Sequence, residues 1–259
     1  MVVEAAIVLP AMIFLLLLTI QLTQLQQARI MVEYAAYAAA RTGIVMNGDN
    51  GNSNGVSDGK MKEAAVMAVL PTFGRTDSFA AYAKTLARFK LQEAAMSRAG
   101  IPMVRVQVLN PVQADFATYG GHLNGQEIDF DDVRPGSNGA PGATEATLLS
   151  IQVRYLYEMH VPFANKMIQT IWMASKAGVL RTWQGWDLTS PRAGSQRGAD
   201  AVAISRGLAA TKVVPDGTPE GIRLAGLVAA GLLNRYYLPV EAFYTMRMQS
   251  NPYRKWAHP

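Results

Sequence analysis

From Val2 to Ile20 the chain reads VVEAAIVLPAMIFLLLLTI, an apolar run interrupted only by Glu4 and Thr19. At about 1.5 Å of rise per residue the run approaches the roughly 20 residues that cross a bilayer. Its oily residues cover every helix face, including a continuous LLLL, whereas a soluble core helix carries one apolar stripe. A cleaved secretory signal would carry a basic segment in front and a small-residue cleavage site behind. Here no Lys or Arg precedes Arg29, and Gln21, Leu22, Thr23 and Gln24 follow the run. A retained membrane helix is the favoured reading over both. The helical pattern then continues. Residues 21–45 contain no proline, no glycine before Gly43, and mostly strong helix formers. One helix over residues 2–45 would be roughly 65 Å long, lipid-soluble in its first half and amphipathic in its second.

Three features of this helix invite a role. Ala35, Ala38 and Ala39 are small residues at helical spacing, which lets a second backbone approach closely. Packing against the chain's own globular part is the plainer alternative. Glu4 places an acid at the edge of the apolar run, where a carboxylate costs about 2.5 kcal/mol or more unless paired. It sits in the headgroup layer or meets a cation such as the α-amino group of a neighbouring subunit. Pro10 removes one helix hydrogen bond and clashes with the preceding turn, a break that membrane helices tolerate when neighbours satisfy the freed carbonyl.

The remainder alternates between helix and strand patterns. Residues 47–59, NGDNGNSNGVSDG, read as a solvated flexible loop. Asn50, Asn52, Asn54 and Gly55 imitate the start of a calcium loop, but Met61 stands where such a loop needs its terminal glutamate. Helices are predicted over 60–70, ending at Leu70-Pro71, and over 77–99, ending before Gly100 and Pro102. In the second, Phe79, Tyr82, Leu86, Phe89 and Glu93 give a mostly apolar stripe expected in the core. Met103 to Leu109 alternates as a strand, and residues 110–145 show turn residues and little pattern. Leu149 to Val161 is the clearest strand, with Leu149, Ile151, Val153, Tyr155, Tyr157 and Met159 on one face and a mostly polar opposite face. Phe163 to Ala177 is predicted as an amphipathic helix that packs on the sheet or lies on a membrane surface. Residues 181–200, with Trp183 and Trp186, read as a loop. Short helices follow at 201–211 and 219–234, then a last strand over Arg235–Ser250 whose Pro239 suits a sheet edge. The tail Tyr253-Arg254-Lys255-Trp256 is expected to fray.

Composition narrows the chemistry. The 259 residues are 50% hydrophobic and 17% charged, which excludes a wholly disordered chain. There is no cysteine, so disulfides, thiolate metal sites and cysteine nucleophiles are excluded. The net charge of +5 comes without a Lys/Arg run until the last residues, so no nucleic-acid partner is expected. The three histidines, His122, His160 and His258, lie far apart, and no GxSxG, HExxH, P-loop or GxGxxG motif occurs. Glu127, Asp129, Asp131 and Asp132 form an acidic knot in which Asp129 and Asp131 could flank a cation, although a solvated charged loop is the simpler reading. No catalytic, cofactor or metal site is predicted.

The string Val3-Glu4-Ala5-Ala6-Ile7-Val8-Leu9-Pro10 ahead of an apolar run resembles the N-terminus of TadE-like proteins, pilin-like minor components of Tad (Flp-type) pilus systems. Val153, Tyr155, Tyr157 and Pro162 resemble the family's alternating strand ending at a proline. Leu238-Pro239-Val240 with Met246-Arg247-Met248-Gln249-Ser250 resembles its terminal strand. The resemblance implies a minor pilin or pseudopilin in the bacterial inner membrane, single-pass, with its C-terminal domain periplasmic or carried into an extracellular pilus. Its implied partners are membrane lipid, other pilin-like subunits met through the N-terminal helix, an inner-membrane assembly platform, and a prepilin peptidase during maturation. Glu4, Pro10, Ala35, Ala38 and Ala39 are then the assembly residues. In that family a short basic leader is removed after a glycine and the glutamate falls near the fifth mature position. Here it is residue 4, so the start reads as processed, trimmed or differently defined. A separate ATPase would supply transport energy. The expected fold is α+β: a long N-terminal transmembrane helix (1–46), a flexible loop (47–59) and an exported globular domain (60–259) with a small, mostly antiparallel sheet flanked by helices. The competing function is a membrane-tethered periplasmic enzyme or binding protein that uses the helix only as an anchor.

Overall fold

The computed structural model describes residues 2–48, 59–98, 101–132, 143–144, 146–176 and 235–257. The calcium-like Asn50, Asn52, Asn54 and Gly55, the tryptophans Trp183 and Trp186, the helices expected at 201–211 and 219–234, and His258 lie outside them.

The apolar run and the amphipathic stretch form one 44-residue helix, α1 (Val2–Val45). In its second half Leu25, Ala28, Val32, Ala35, Ala36, Ala39, Ala40 and Ile44 recur at helical spacing and are all buried. They pack on α2 (Lys60–Phe73) and on two strands, β2 (Leu148–Met159) and β3 (Tyr236–Arg247). With β1 (Val104–Asn110) these make a three-stranded antiparallel sheet in the order β1-β2-β3. The register aligns Val106 with Val153 and Val153 with Ala242, and Val104 with Tyr155 and Tyr155 with Val240. Period-two alternation therefore turns one continuous apolar face toward α1. Full burial of each larger aliphatic side chain at this seam contributes roughly 1.5–3 kcal/mol. The fold is the expected α+β, with a long apolar N-terminal helix and a small antiparallel sheet flanked by helices.

Small residues set how closely the helix lies on the sheet. A Cβ added at Gly43 would sit 2.6 Å from Leu149 Cδ2 and 2.9 Å from Met61 Cε. The helix then stops sharply. Asn47 takes a left-handed φ of 57°, and the Gly48 N–H donates to the Gly43 carbonyl at 2.9 Å. The next orphan carbonyl is capped from the far end of the chain. Ile44 O accepts from the Gln249 N–H at 3.0 Å and from Ser250 Oγ at 2.9 Å. Asn47 answers with its own N–H to Ser250 Oγ (2.9 Å) and its Nδ2 to the Asn251 carbonyl (2.6 Å). The tail expected to fray is thus docked. Residues Arg254–Trp256 form a short 3-10 turn, the Arg254 N–H donates to the Gln126 carbonyl at 2.8 Å, and Ala257 is buried beside Phe116 and Ile128.

α2 runs past Pro71 to Phe73, because the carbonyl freed by the proline belongs to Met67, which lies on the helix's exposed side. α3 (Phe79–Arg98) buries Phe89, which meets Phe73 edge-on at 5.3 Å. Phe79, expected in the core, is 88% exposed because it opens the helix beyond the reach of α2. The pattern-poor stretch after Asn110 holds a short helix, α4 (Gln113–Tyr119), whose Asp115 carboxylate accepts from the Val112 N–H at 3.1 Å. α5 (Ala164–Lys176) follows β2. The second face of β2 is not mostly wet. Leu156 is buried with Ile101 and Tyr237, while Gln152 and Arg154 donate to Glu241 at 2.9 and 2.6 Å. Those polar groups are covered because they satisfy one another. Arg105, opposite Arg154 in the register, is held down to about 10 by burial and by the neighbouring Arg154 charge.

Candidate assembly surface on the leading helix

α1 presents different faces along its length. In the first half Val8, Leu9, Met12, Ile13, Leu15 and Leu16 are each more than half exposed. The helix is long and apolar enough to cross a membrane, and only 11% of its most apolar window is buried. A soluble core helix of the same hydropathy would be covered by its own chain, so these side chains need another apolar surrounding. Thr19 and Thr23, the hydroxyls bordering this region, return their protons to carbonyls one turn back, to Leu16 at 2.8 Å and Thr19 at 2.9 Å. Pro10 lies exposed within α1, which runs on past it. Glu4 stands in the first turns of the helix, and its side chain is outside the described residues.

At Gln21 the helix enters the globular part. This side chain is fully buried, and its Oε1 accepts from the Val161 N–H at 2.9 Å. Burial raises the Tyr157 hydroxyl above its ordinary range, with the Gln21 side chain pulling it partly back. Beyond this point one face of α1 is core and the opposite face is open. Ala35 and Ala39 are completely buried against the chain's own sheet and α2, so the self-packing alternative describes their contacts. Ala38 is different. It is half-buried and lines an open groove of about 400 Å³ with Tyr34, Tyr37, Arg41, Val45 and Ala64. Ile30 (64% exposed), Tyr34 (57%) and Val45 (59%) extend the groove into an apolar stripe along the outer face. Tyr34 and Tyr37 lie 6.2 Å apart, and Tyr37 meets Tyr244 of β3 edge-on at 5.4 Å, which fixes the groove floor. Arg29 and Glu33 pair at 3.6 Å on the flank. The structure therefore separates the three alanines, two facing inward and one outward. It adds Ile30, Tyr34, Arg41 and Val45, whose helical spacing opposite the alanine stripe was the available signal.

His160 is exposed at the end of β2, its ring edge-on to Tyr157 at 6.4 Å. The Asp129 carboxyl, hydrogen-bonded and like-charged, raises the exposed Asp131. Glu127 is engaged elsewhere, accepting from Asn251 Nδ2 at 3.4 Å and bridging Tyr253 through its backbone. Among the described residues no group of three or more His, Asp or Glu could hold a metal ion.

Residues 1–41 match the family model described as TadE-like protein. The resemblance carried by the opening string is thus borne out: the leading segment of the chain is TadE-like. No curated protein and no solved structure matches the chain.

Proposed function

We propose that this chain is a minor pilin, a structural subunit of a Tad-type pilus or a related secretion machine rather than an enzyme. The observation that carries the reading is the two-part helix α1: a TadE-like, lipid-soluble half whose Val8, Leu9, Met12, Ile13, Leu15 and Leu16 are left exposed, continuous with a half built into the core. Before assembly the first half sits in the inner membrane and the head faces the periplasm. On assembly that half exchanges lipid for the helices of neighbouring subunits. Lipid is as apolar as the helix, so close packing and polar pairing must supply the specificity. Glu4 supplies the polar pairing, with a neighbour's α-amino group as its cation, and Pro10 frees a carbonyl for a neighbouring donor. The stripe Ile30–Tyr34–Ala38–Val45 takes the lateral contact above the membrane. A prepilin peptidase and an inner-membrane assembly platform are the processing and assembly partners.

The test uses Glu4→Ala and Glu4→Leu in cells that make the filament. The expected outcome is unchanged membrane insertion, read by fractionation, with filament yield lowered several-fold. Wild-type yield from both variants overturns the pairing role. A solitary tethered monomer that turns over a small molecule would replace the subunit reading with the anchored-enzyme one.

A further inference from the structure

α5 buries only part of its apolar surface. Ala164 and Ile168 enter the core and Trp172 packs at its margin. Phe163, Met167 and Ile171, spaced four residues apart, form a second apolar stripe that is 75%, 39% and 50% exposed. Phe163 holds a left-handed φ of 65°, a conformation that a bulky residue rarely adopts, while presenting its ring outward. On α2 and α3 the large exposed apolar residues stand at a helix start (Phe79) or singly (Met67, Leu91), whereas here three fall in register.

The position of the stripe identifies what covers it. The Gln21–Val161 hydrogen bond fixes the entry to α5 at the height where the apolar run of α1 gives way to Gln21, Thr23, Gln24, Gln26 and Gln27. Leu18, inside that run, packs against the same core cluster as Ile168. α5 therefore begins at the level where a bilayer around α1 would meet water. Its sequence, ANKMIQTIWMASK, contains Lys166 and Lys176 and no carboxylate. An apolar stripe, basic residues and no acid are the composition of a helix lying in a headgroup layer, preferentially one with anionic lipid. We propose that α5 is such an interfacial helix, seating Phe163, Met167 and Ile171 among the lipid headgroups and acyl ends beside α1. The head then has a second membrane contact besides the stalk, holding it against the bilayer until the subunit is extracted.

This rests on α1 spanning the membrane, so the experiment reports on both. The chain has no cysteine, which makes single-cysteine labelling clean. Full-length Met167→Cys, Ile171→Cys, Leu16→Cys (α1) and Lys90→Cys (exposed on α3) carry an environment-sensitive fluorophore in vesicles of phosphatidylcholine with phosphatidylglycerol. Quenching by nitroxide-bearing lipid and by aqueous iodide is compared. The expected result is lipid quenching several-fold above the Lys90 position at Met167, Ile171 and Leu16, with blue-shifted emission and weak iodide quenching. Iodide quenching at Met167 and Ile171 equal to that at Lys90, with Leu16 still lipid-like, overturns the interfacial helix alone. Aqueous behaviour at Leu16 as well overturns the membrane anchor and this assignment with it. Protection from both quenchers with energy transfer between labelled copies shows a self-contact and also overturns the lipid assignment.

Discussion

Enlarging Ala39 and enlarging its neighbour Ala38 should damage different properties of the protein. Ala39 is fully buried between α1, the sheet and α2. Leucine at that position must fit an isopropyl group into a seam so close that a single Cβ at Gly43, one turn on, would lie 2.6 Å from Leu149 Cδ2. Overpacking of a tight core costs about 1–3 kcal/mol, and the rigid helix–sheet geometry here places Ala39→Leu near the upper end. At about 2–4 °C per kcal/mol for a chain of this class, Tm falls by roughly 6–12 °C. Ala38 lines the open groove, and leucine is nearly as good a helix former as alanine, so Ala38→Leu stays within about 0.5 kcal/mol of wild type. The assay is thermal unfolding of full-length protein in nanodiscs, followed by near-ultraviolet circular dichroism, beside filament yield in cells. Ala39→Leu should lose stability. Ala38→Leu should keep it and lose assembly. Equal Tm losses, or an Ala39→Leu protein as stable as wild type, would refute the inward–outward division. A stable Ala38→Leu protein with full filament yield would remove the groove from the assembly surface.

Two further predictions concern the head. Lys62 Nζ and Glu93 Oε1 pair at 2.7 Å with side chains only 11% and 14% exposed, and Glu93 also accepts from the Met103 N–H at 2.7 Å. Glu93→Ala should therefore cost about 3–5 kcal/mol in denaturant unfolding. Lys62→Met with Glu93→Gln should recover most of it, since the charge is gone and the amide still accepts from Met103; no recovery would place the loss elsewhere. Tyr237 is buried, accepts from Gln92 Nε2 at 2.7 Å, and is pushed up to about 12 by burial first and by the Glu158 charge second. An unfolded tyrosine ionises near pH 10 while Tyr237 in the fold keeps its proton. Stability should thus fall between about pH 10 and 12, by up to about 1.4 kcal/mol per pH unit from this group. Tyr237→Phe should flatten that alkaline slope, measured by unfolding across the range, with Tyr155 and Tyr157, both raised by burial, retaining the rest.

The elements with strong periodicity were legible in the chain. The continuous helix to Val45 and the alternating β2 follow from patterns long enough to leave one solution, and Pro239 on the edge strand β3 follows from its missing donor. What escaped reading depends on partners distant in sequence. The tail docks because Ser250 and Asn251 meet Ile44 and Asn47 about two hundred residues away, a pairing that no local window contains. α4 spans only seven residues, too few for a periodic signal, and Asp115 at its start was the one local cue. Glu93 reads as part of a helix stripe, yet its role is to receive Lys62 and the start of β1. At the candidate surface the small residues were visible as a group. Which of them face inward is decided by where β2 and β3 lie, so Ala38 separates from Ala35 and Ala39 only in three dimensions.

The absence of any joint between the oily and the folded halves of α1 has a mechanical meaning. A rigid rod keyed into its own headpiece turns that headpiece with it, so the direction in which the exterior surface points is encoded by helical phase alone. Adding one residue between Ile20 and Leu25 would swing the exterior by about 100° around the rod axis. If the chain is a filament subunit as proposed, tension along the filament would likewise enter the sheet through a broad buried seam and the Ile44–Gln249 clasp, spreading load rather than concentrating it on a tether.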